Sequence, residues 1–422
     1  MLRVLINLFL VFVIAIAASF AAYGFTFGLQ WMTSIRDDLL LIGLTESDHL
    51  IKILSWFGIG TASIAFIRLA FGVSLYPGPA DCIFHVRNPQ RRLRTRKGIG
   101  SCLTAFISCC LGLPVGYYGP VILLGATCAQ LTINNSRPQL DQRQDWLLLA
   151  GIVAAITVGF DTPASAVLFA LLVVSQTRGW RLVGVLVGVA ALADWINHSV
   201  MGTPRESLTL GDMPPWQSLL GIALVTLAGC GLGLTLVRWL KHLQRYRSWI
   251  NHRAIWVLAA LSLCFVLLAL VDPSLLGWEH RIADLNAAST YDLLVMISAC
   301  LFISGICICG GFFGGILGPA MLLGGCGGAL VSLAFVGLGA AETISWPLII
   351  AAMAATTVTI SGAPLFCAVL VGELYGSLST ALLALVAAYF SLRIYLRFEP
   401  KPYYLQQVDD LVEKDLAATA VL

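Results

Sequence analysis

Apolar segments long enough to cross a lipid bilayer recur along the whole chain and limit its fold more than any single motif does. A helix that crosses the hydrocarbon core needs about 20 residues. Segments of about that length lie near residues 5–31, 50–72, 99–115, 143–160, 180–200, 216–239, 254–271, 291–309, 320–340 and 377–396. We therefore expect an all-α polytopic membrane protein that forms a single membrane domain over residues 1–422.

Four further apolar segments are too short, or too interrupted by Gly and Pro, for a simple crossing. They lie at 119–133, 163–176, 345–360 and 364–376. Irregular backbone at membrane depth is tolerated only where protein buries it or where it lines a watery cavity. We expect these segments to be broken and re-entrant helices.

The composition excludes most other classes of protein. Hydrophobic residues make up 59% of the chain and charged residues 11%, whereas soluble domains carry about 25% charged residues. The net charge of +3 does not indicate a nucleic-acid partner. The 12 Cys lie in apolar segments without a CxxC pair, so we interpret them as packing residues and expect no metal and no cofactor. We expect no enzyme, because the spans contain no HExxH motif, no Ser/His/Asp set and no cluster of His or carboxylates.

Basic residues between the spans predict the orientation, since Lys and Arg concentrate in cytoplasmic loops. They cluster at Arg87–Lys97, at Arg238–Arg253 and at Arg393–Lys401. We therefore expect both termini in the cytoplasm. The apolar start of the chain also resembles a secretory signal. Its apolar run is longer than a typical signal core and many spans follow, so we expect a retained first span.

The two halves of the chain resemble each other. The matching pairs are Gly119–Gly125 with Gly318–Gly324, Ala154–Val158 with Ala354–Val358, and Thr162–Pro163 with Ala363–Pro364, at offsets of 199, 200 and 201 residues. Three matches in the same order at a nearly constant offset predict an internal repeat. We place its halves at about 50–200 and 216–396, followed by a C-terminal cytoplasmic helix at about 403–418.

Each half contains a break rich in Gly and Pro, at Gly116–Pro120 and at Gly314–Pro319. A helix that starts at such a break exposes N–H groups and about half a positive charge, which together suit an anion. Transporters built from repeats bind their substrate near the bilayer midplane, where corresponding breaks meet. The two breaks therefore predict an anion site. The alternative is that their glycines only permit close packing of helices.

The sequence around these breaks resembles the CLC family of chloride channels and transporters, over about Tyr76–Tyr404. The matching segments are Gly116–Pro120 (family G-[KR]-E-G-P), Gly315–Pro319 (G-x-F-x-P), Asp161–Pro163 (N-A-P), Ser361–Pro364 (R-A-P), Lys401–Tyr404 (K-P-L-Y) and, by counting back from Tyr118, Tyr76–Ala80 (G-S-G-I-P). The resemblance implies a CLC-type inverted repeat of two halves with broken and re-entrant helices. It also implies a homodimer in the inner (plasma) membrane of a bacterium that transports small inorganic anions.

The resemblance further implies a set of anion-binding positions. They are Pro77, Gly78, Tyr118, Gly119, Ile316, Leu317 and Tyr404. The backbone amides of Ile316 and Leu317 and the hydroxyl of Tyr404 are expected to donate to the central anion. Pro77 holds the place of a coordinating Ser and lacks both a hydroxyl and an N–H. Family members with Pro there favour nitrate, so nitrate joins chloride as a candidate substrate.

Two carboxylates of the family are replaced in this chain. The gating Glu corresponds to Tyr118, and the internal proton-transfer Glu corresponds to Val173. A Tyr hydroxyl stays neutral at physiological pH, and Val carries no proton, so we expect passive anion flow with Tyr118 at the gate position. Two alternatives remain: an anion/proton antiporter with a relocated proton pathway, and a non-conducting family member with a structural or regulatory role.

Four further polar residues have weaker interpretations. Asp161 stands at a helix start, where a carboxylate caps exposed amides, so we expect it to be a cap. Glu373 is expected to have a structural or dimer-edge role. Asp194 and His198 are interpreted as the end of a span.

Overall fold

The protein was analysed as a computed structural model, which describes residues 2–41, 46–73, 78–88, 90–135, 144–175, 179–203, 215–271, 285, 288–339, 343–375 and 378–420. Within these ranges the chain is helical and contains no strand. Pro77, one of the predicted anion-binding positions, lies outside the described residues.

The helices of the first half follow one another closely in the sequence. They are α1 (Leu2–Leu41), α2 (Glu46–Phe71), α3 (Gly78–Arg87), α4 (Thr95–Cys110), α5 (Tyr118–Asn135), α6 (Gln144–Phe160), α7 (Pro163–Phe169) and α8 (Trp180–Trp195). Short π-helical turns extend α7 over Ala170–Val174 and α8 over Ile196–Val200.

The second half repeats much of this order. Its helices are α9 (Pro215–Gln244), α10 (Arg247–His252), α11 (Ala254–Val271), α12 (Thr290–Gly310), α13 (Leu317–Gly337), α14 (Trp346–Ser361), α15 (Pro364–Leu374) and α16 (Leu378–Tyr395), followed by α17 (Tyr403–Ala420). The matched sequence segments place α5, α6 and α7 in correspondence with α13, α14 and α15.

The helices have the lengths and burial expected of a multi-pass membrane protein. Six of those described are long and apolar enough to cross a bilayer. The helices at four of the ten segments predicted to cross, 99–115, 143–160, 254–271 and 377–396, are not among these six. Helix α14 is buried on every side from Pro347 to Ser361, which is typical of a helix that is apolar all round and surrounded by protein. Large apolar side chains such as Phe20, Phe66 and Trp256 point outward, where lipid is their natural solvent.

The two helix breaks meet each other directly. Gly116 N–H donates to Gly315 O at 2.8 Å, and Gly315 N–H donates to Gly116 O at 2.5 Å, as an isolated antiparallel bridge. These glycines occupy equivalent places in the two halves, and each donates one backbone hydrogen bond to the other and accepts one from it. A pseudo-two-fold axis therefore passes between them, as the predicted inverted repeat requires. We call this contact the seam.

Glycines also hold the following helices close in both halves. Gly125 of α5 packs so tightly on Gly151 of α6 that a methyl group on either would clash with the other's carbonyl oxygen. In the second half, Gly324 of α13 packs in the same way on Ala352 of α14. Small residues at membrane helix interfaces permit this approach. The repeat seen in the sequence thus corresponds to a repeated packing arrangement.

The basic segments that were predicted to be cytoplasmic gather at one end of the molecule, around α17. Arg91 pairs with Asp415 of α17 at 2.8 Å, and Lys241 pairs with Glu399 at 2.7 Å. Burial alone would raise the pKa of Glu399, but hydrogen bonds and charges from Lys241 and Arg238 outweigh it and hold the pKa below its ordinary value. The three segments therefore share one face, as the loop charges predict.

Candidate anion site between the two helix breaks

Two cavities adjoin the seam. The Tyr404 cavity, of about 50 Å³, is lined by residues that include Gly78, Pro79, Gly315, Ile316 and Tyr404. The Tyr118 cavity, of about 170 Å³, is lined by residues that include Gly116, Tyr117, Tyr118, Phe160 and Gly318. Because a single water needs roughly 10–15 Å³, both cavities have room for a small ion.

The starts of three helices converge on the Tyr404 cavity. Gly78 begins α3 with a left-handed φ of 60°, Ile316 is the N-cap of α13, and Tyr404 lies in the first turn of α17. The first N–H groups of a helix lack acceptors within the helix and carry partial positive charge. The described residues that line this cavity include no charged side chain. The cavity therefore offers an anion partial charges rather than a full cation, which suits binding followed by release.

Tyr404 is buried in this interior with its hydrogen-bonding capacity unused. The residue is 1% exposed, and its hydroxyl has no hydrogen-bond partner in the described part of the chain. The adjacent Tyr403 hydroxyl, in contrast, accepts hydrogen bonds from Gln244 at 2.9 Å and from Gln407 at 3.1 Å. A buried hydroxyl without a partner costs about 1–3 kcal/mol. Its presence next to a cavity indicates a position prepared for a ligand.

Replacing Tyr404 with Phe is expected to weaken halide binding by about tenfold, because a hydrogen bond to a charged partner contributes about 1.5–3 kcal/mol. The thermal stability of the anion-free protein should not fall, since the substitution removes an unsatisfied group. Isothermal titration with bromide measures the affinity, and Tyr403→Phe is the matched control. Equal bromide affinity in Tyr404→Phe and the parent would contradict the assigned role.

Tyr118 begins α5 at the seam and is packed among aromatic rings. Its ring centroid lies 4.3 Å from that of Phe160, 6.2 Å from Phe169 and 6.4 Å from Phe366. Only 4% of the residue is exposed. Its hydroxyl lies near the Ser165 hydroxyl, which donates to Thr162 O at 3.2 Å. Tyr118 therefore combines an apolar obstruction with a buried hydroxyl.

Val173, which the resemblance aligns with the family's proton-transfer Glu, lies in the π-helical turn that extends α7. Its side chain is buried. The carbonyl oxygens of Val173 and Val174 accept hydrogen bonds from the Arg87 guanidinium, at 2.9 and 3.1 Å. An aliphatic side chain thus stands where the resemblance predicts a proton carrier. The nearby carbonyl oxygens and the Arg87 guanidinium are hydrogen-bonded to each other.

The remaining predicted positions lie at the helix starts that form the seam. Leu317 is the first residue of α13 and is fully buried. Gly119 is the second residue of α5, and a methyl group on Gly315 would lie 2.7 Å from its amide nitrogen. Gly78, Ile316 and Tyr404 therefore line one cavity, Tyr118 lines the other, and Gly119 and Leu317 lie at the starts of the two helices that meet between them.

The expectation that Asp161 caps α7 is wrong. Thr162 is the N-cap residue of α7, and among the described residues its side chain makes no capping hydrogen bond. Glu373 of α15 caps it instead: its two carboxylate oxygens accept from Ala164 N–H and Ser165 N–H, each at 2.7 Å. The Glu373 carboxylate belongs to the second repeat and caps a helix of the first, 208 residues away from Ser165 in the sequence. A contact between such distant residues leaves no local pattern, so the cap was predicted at Asp161, the acidic residue next to the helix. Glu373 thus has a structural role.

Replacing Glu373 with Ala is expected to lower the free energy of unfolding by about 1–2 kcal/mol, the usual cost of a lost helix cap. Thermal unfolding in detergent measures the change. The matched control is Glu413→Ala, because Glu413 is exposed on α17. If the two variants lose the same stability, the cap contributes nothing of its own.

Asp161 belongs to a different group of side chains, which the sequence analysis missed. Its carboxylate lies with Asp194 and His198, and the potential ligand atoms of the three residues are all within 4.8 Å of one another. The expectation that the spans contain no cluster of His and carboxylates is therefore wrong. The three residues come from two segments of the chain that only the fold brings together. The spacing of Asp194 and His198 by four residues, one helical turn, was the available signal.

The fold and this geometry define a multi-pass membrane protein with an inverted repeat and helix starts directed at a shared interior. A family model described as voltage gated chloride channel matches residues 62–395. The chain therefore belongs to the CLC family, as the motifs predicted. No match was found among curated proteins.

Solved structures with the same fold include several CLC proteins. One is a CLC-type fluoride/proton antiporter, 20% identical over 95% of this chain and 97% of that chain, with a TM-score of 0.75. Another is a eukaryotic CLC transporter, 18% identical over 97% and 74%, with a TM-score of 0.79. A third is a slow cyanobacterial Cl⁻/H⁺ antiporter, 19% identical over 96% and 98%, with a TM-score of 0.79. At these identities the likeness establishes the fold.

Proposed function

We propose that this protein moves small inorganic, chloride-like anions across the membrane passively, without coupling to protons. The observation that carries the proposal is the neutral Tyr118 hydroxyl at the seam, where the family has its gating carboxylate. Val173 removes the second titratable group of the family's proton route. The Tyr404 cavity supplies amide and hydroxyl donors for an anion, and membership of the CLC family supports anion transport in general.

In the alternative with a relocated proton pathway, Glu373 is the carboxylate that would carry the proton. Both of its oxygens are engaged by amide N–H groups of α7, at 2.7 Å. A proton relay must exchange its hydrogen-bond partners as it loads and unloads, and this carboxylate is held as a cap. The arrangement favours passive flow over an anion/proton antiporter, the alternative that two of the similar solved structures represent.

A pH gradient across proteoliposomes tests the proposal. With equal chloride on both sides, a passive pathway should give a reversal potential of zero at every pH gradient. A measurable shift with the pH gradient would contradict passive flow. If the shift were abolished by Glu373→Gln, the antiporter alternative with Glu373 as its relay would replace it. Glu413→Gln serves as the control for both measurements.

A second candidate function is that of a non-conducting family member with a structural or regulatory role. Its support is the aromatic packing of Tyr118 against Phe160, Phe169 and Phe366, because an apolar constriction can close a pore by excluding water. Chloride efflux from vesicles separates the two functions. Efflux from neither the parent nor a variant with a smaller residue at 118 would favour the non-conducting role.

The identity of the anion, the assembly and the orientation belong to the same proposal. We infer chloride as the principal anion with nitrate as a second substrate, a homodimer with one pathway in each subunit, and cytoplasmic termini in a bacterial plasma membrane. No catalytic role is proposed. Comparative fluxes of chloride, nitrate and fluoride test the first point. Mass measurement in detergent tests the homodimer. The orientation is tested by introducing cysteines into α17 and labelling them in intact cells.

A further inference from the structure

Asp161, Asp194 and His198 form a compact group at the end of α7 opposite Arg87. His198 Nε2 lies 2.8 Å from Asp161 Oδ1 and 3.4 Å from Asp194 Oδ1. Helix α7 and its π-helical extension, Pro163–Val174, separate this group from Arg87 by 12 residues, or about 18 Å of helix. The group therefore lies well away from the basic face of the molecule.

The second nitrogen of His198 fixes the orientation of the ring. His198 Nδ1 lies 2.8 Å from Thr203 O, and because a carbonyl oxygen can only accept, Nδ1 carries a proton. Nε2 then faces the Asp161 and Asp194 carboxylate oxygens and is the ring atom available to a cation. A histidine whose other N–H donates to a backbone carbonyl has the orientation usual for a metal ligand.

A buried amide fixes one of the two carboxylates. Asn197 is 1% exposed, and its Nδ2 donates to Asp161 Oδ1 at 3.1 Å. The group therefore holds one imidazole nitrogen and two carboxylates whose potential ligand atoms all lie within 4.8 Å of one another.

We propose that Asp161, Asp194 and His198 bind a divalent transition-metal ion of the Zn²⁺ type. Nitrogen and carboxylate ligands suit this class of ion. Bonds of about 2.0–2.1 Å in a tetrahedral arrangement place ligand atoms about 3.3 Å apart. The 3.4 Å between His198 and Asp194 already fits this spacing, and the 2.8 Å contact between His198 and Asp161 has to widen. The three side chains are 18–38% exposed, which leaves an entry route and an open coordination position for water.

The site connects to the anion pathway through the neighbouring residue. Phe160 precedes Asp161, lines the Tyr118 cavity and packs on the Tyr118 ring with centroids 4.3 Å apart. The metal ligands are already assembled in this structure, in which Tyr118 is packed against Phe160. A ligand stabilises the conformation to which it binds best, so the bound metal should hold Tyr118 in its packed position and slow anion flux. This consequence depends on the proposed transport function, whereas metal binding itself does not.

Titration of the purified full-length protein with ZnCl₂ tests the site without any measurement of transport. We expect one ion per chain, and an affinity reduced about tenfold or more in His198→Gln and in Asp194→Asn. His252→Gln is the matched control, because His252 is exposed on α10. If either site variant fails to fold, the parent alone remains informative, since bound Zn²⁺ should raise its unfolding temperature with the concentration dependence of a single site.

Two results would overturn parts of this inference. If Zn²⁺ does not bind, or binds equally to the parent and both variants, the group is a cluster of polar contacts and not a metal site. If Zn²⁺ binds as expected but leaves chloride efflux unchanged in a protein that transports chloride, the link to Tyr118 is wrong. Slower efflux in the parent with no effect in His198→Gln would support both parts.

Discussion

Replacing Tyr118 with Ala is expected to raise the rate of chloride efflux from proteoliposomes by about tenfold or more, equivalent to lowering the barrier by about 1.4 kcal/mol. The Tyr118 ring lies among Phe160, Phe169 and Phe366 next to the seam. Removal of the ring would enlarge the Tyr118 cavity. It would also widen an apolar constriction of the kind that excludes water and ions. Flux should rise without acquiring a dependence on the pH gradient, because the substitution introduces no titratable group.

Two further variants show which part of Tyr118 matters. Tyr118→Phe keeps the obstruction and removes the hydroxyl, so its efflux should stay at or below that of the parent. Tyr117→Ala is the neighbouring control, since Tyr117 also stacks on Phe160, at 4.9 Å, but is not at the gate position. If Tyr118→Ala leaves efflux unchanged, Tyr118 is not an obstruction. If Tyr117→Ala raises efflux equally, the effect belongs to the cavity wall and not to the gate.

Replacing Gly315 with Ala is expected to abolish most halide binding and to destabilise the fold by about 1–3 kcal/mol, the usual cost of overpacking. An added methyl group would lie 2.7 Å from Gly119 N, 3.1 Å from Gly119 Cα and 3.2 Å from Gly116 O. These are backbone atoms, so relief requires the starts of α5 and α13 to separate. That movement would displace the Ile316 and Leu317 amides from the position in which we expect them to face a shared anion.

Gly184→Ala provides the comparison for the effect of Gly315→Ala. Nothing lies within 4 Å of a methyl group on Gly184 of α8, and Ala favours a helix over Gly by about 1 kcal/mol. This variant should keep its stability and its halide affinity. Bromide titration and thermal unfolding measure both properties. Normal bromide affinity in a folded Gly315→Ala protein would mean that the seam does not position the site.

Much of the fold could be predicted from the sequence because membrane helices obey strong local constraints. Six of the ten apolar segments predicted to cross correspond to helices long enough to span a bilayer. The repeated Gly-Pro segments predicted α5 and α13 as interior helix starts. The pairing of Gly116 with Gly315 follows from the constant offset of the repeat. Four of the predicted site residues, Gly78, Tyr118, Ile316 and Tyr404, could be placed at cavities for the same reason: each belongs to a helix start whose position the motif defines.

Contacts between distant segments could not be predicted in the same way. Capping of α7 by Glu373 depends on how α15 lies against α7, and no local pattern specifies that arrangement. Asp161 was assigned the cap because it stands next to the helix in sequence. His198 and Asp194 share a helical face, but their contact with Asp161 depends on the packing of α8 beside the connection between α6 and α7. Sequence spacing identifies partners within one element and becomes uninformative between elements.

The most direct test of the anion site is a structure determined from crystals grown in bromide, with anomalous data collected at the bromine edge. We expect a bromide peak within hydrogen-bonding distance of the Tyr404 hydroxyl and of the Ile316 and Leu317 amides, next to the seam formed by Gly116 and Gly315. A map with no peak there, from a protein that conducts bromide in vesicles, would contradict the account, because anions would then cross the membrane by a path that avoids the two helix breaks.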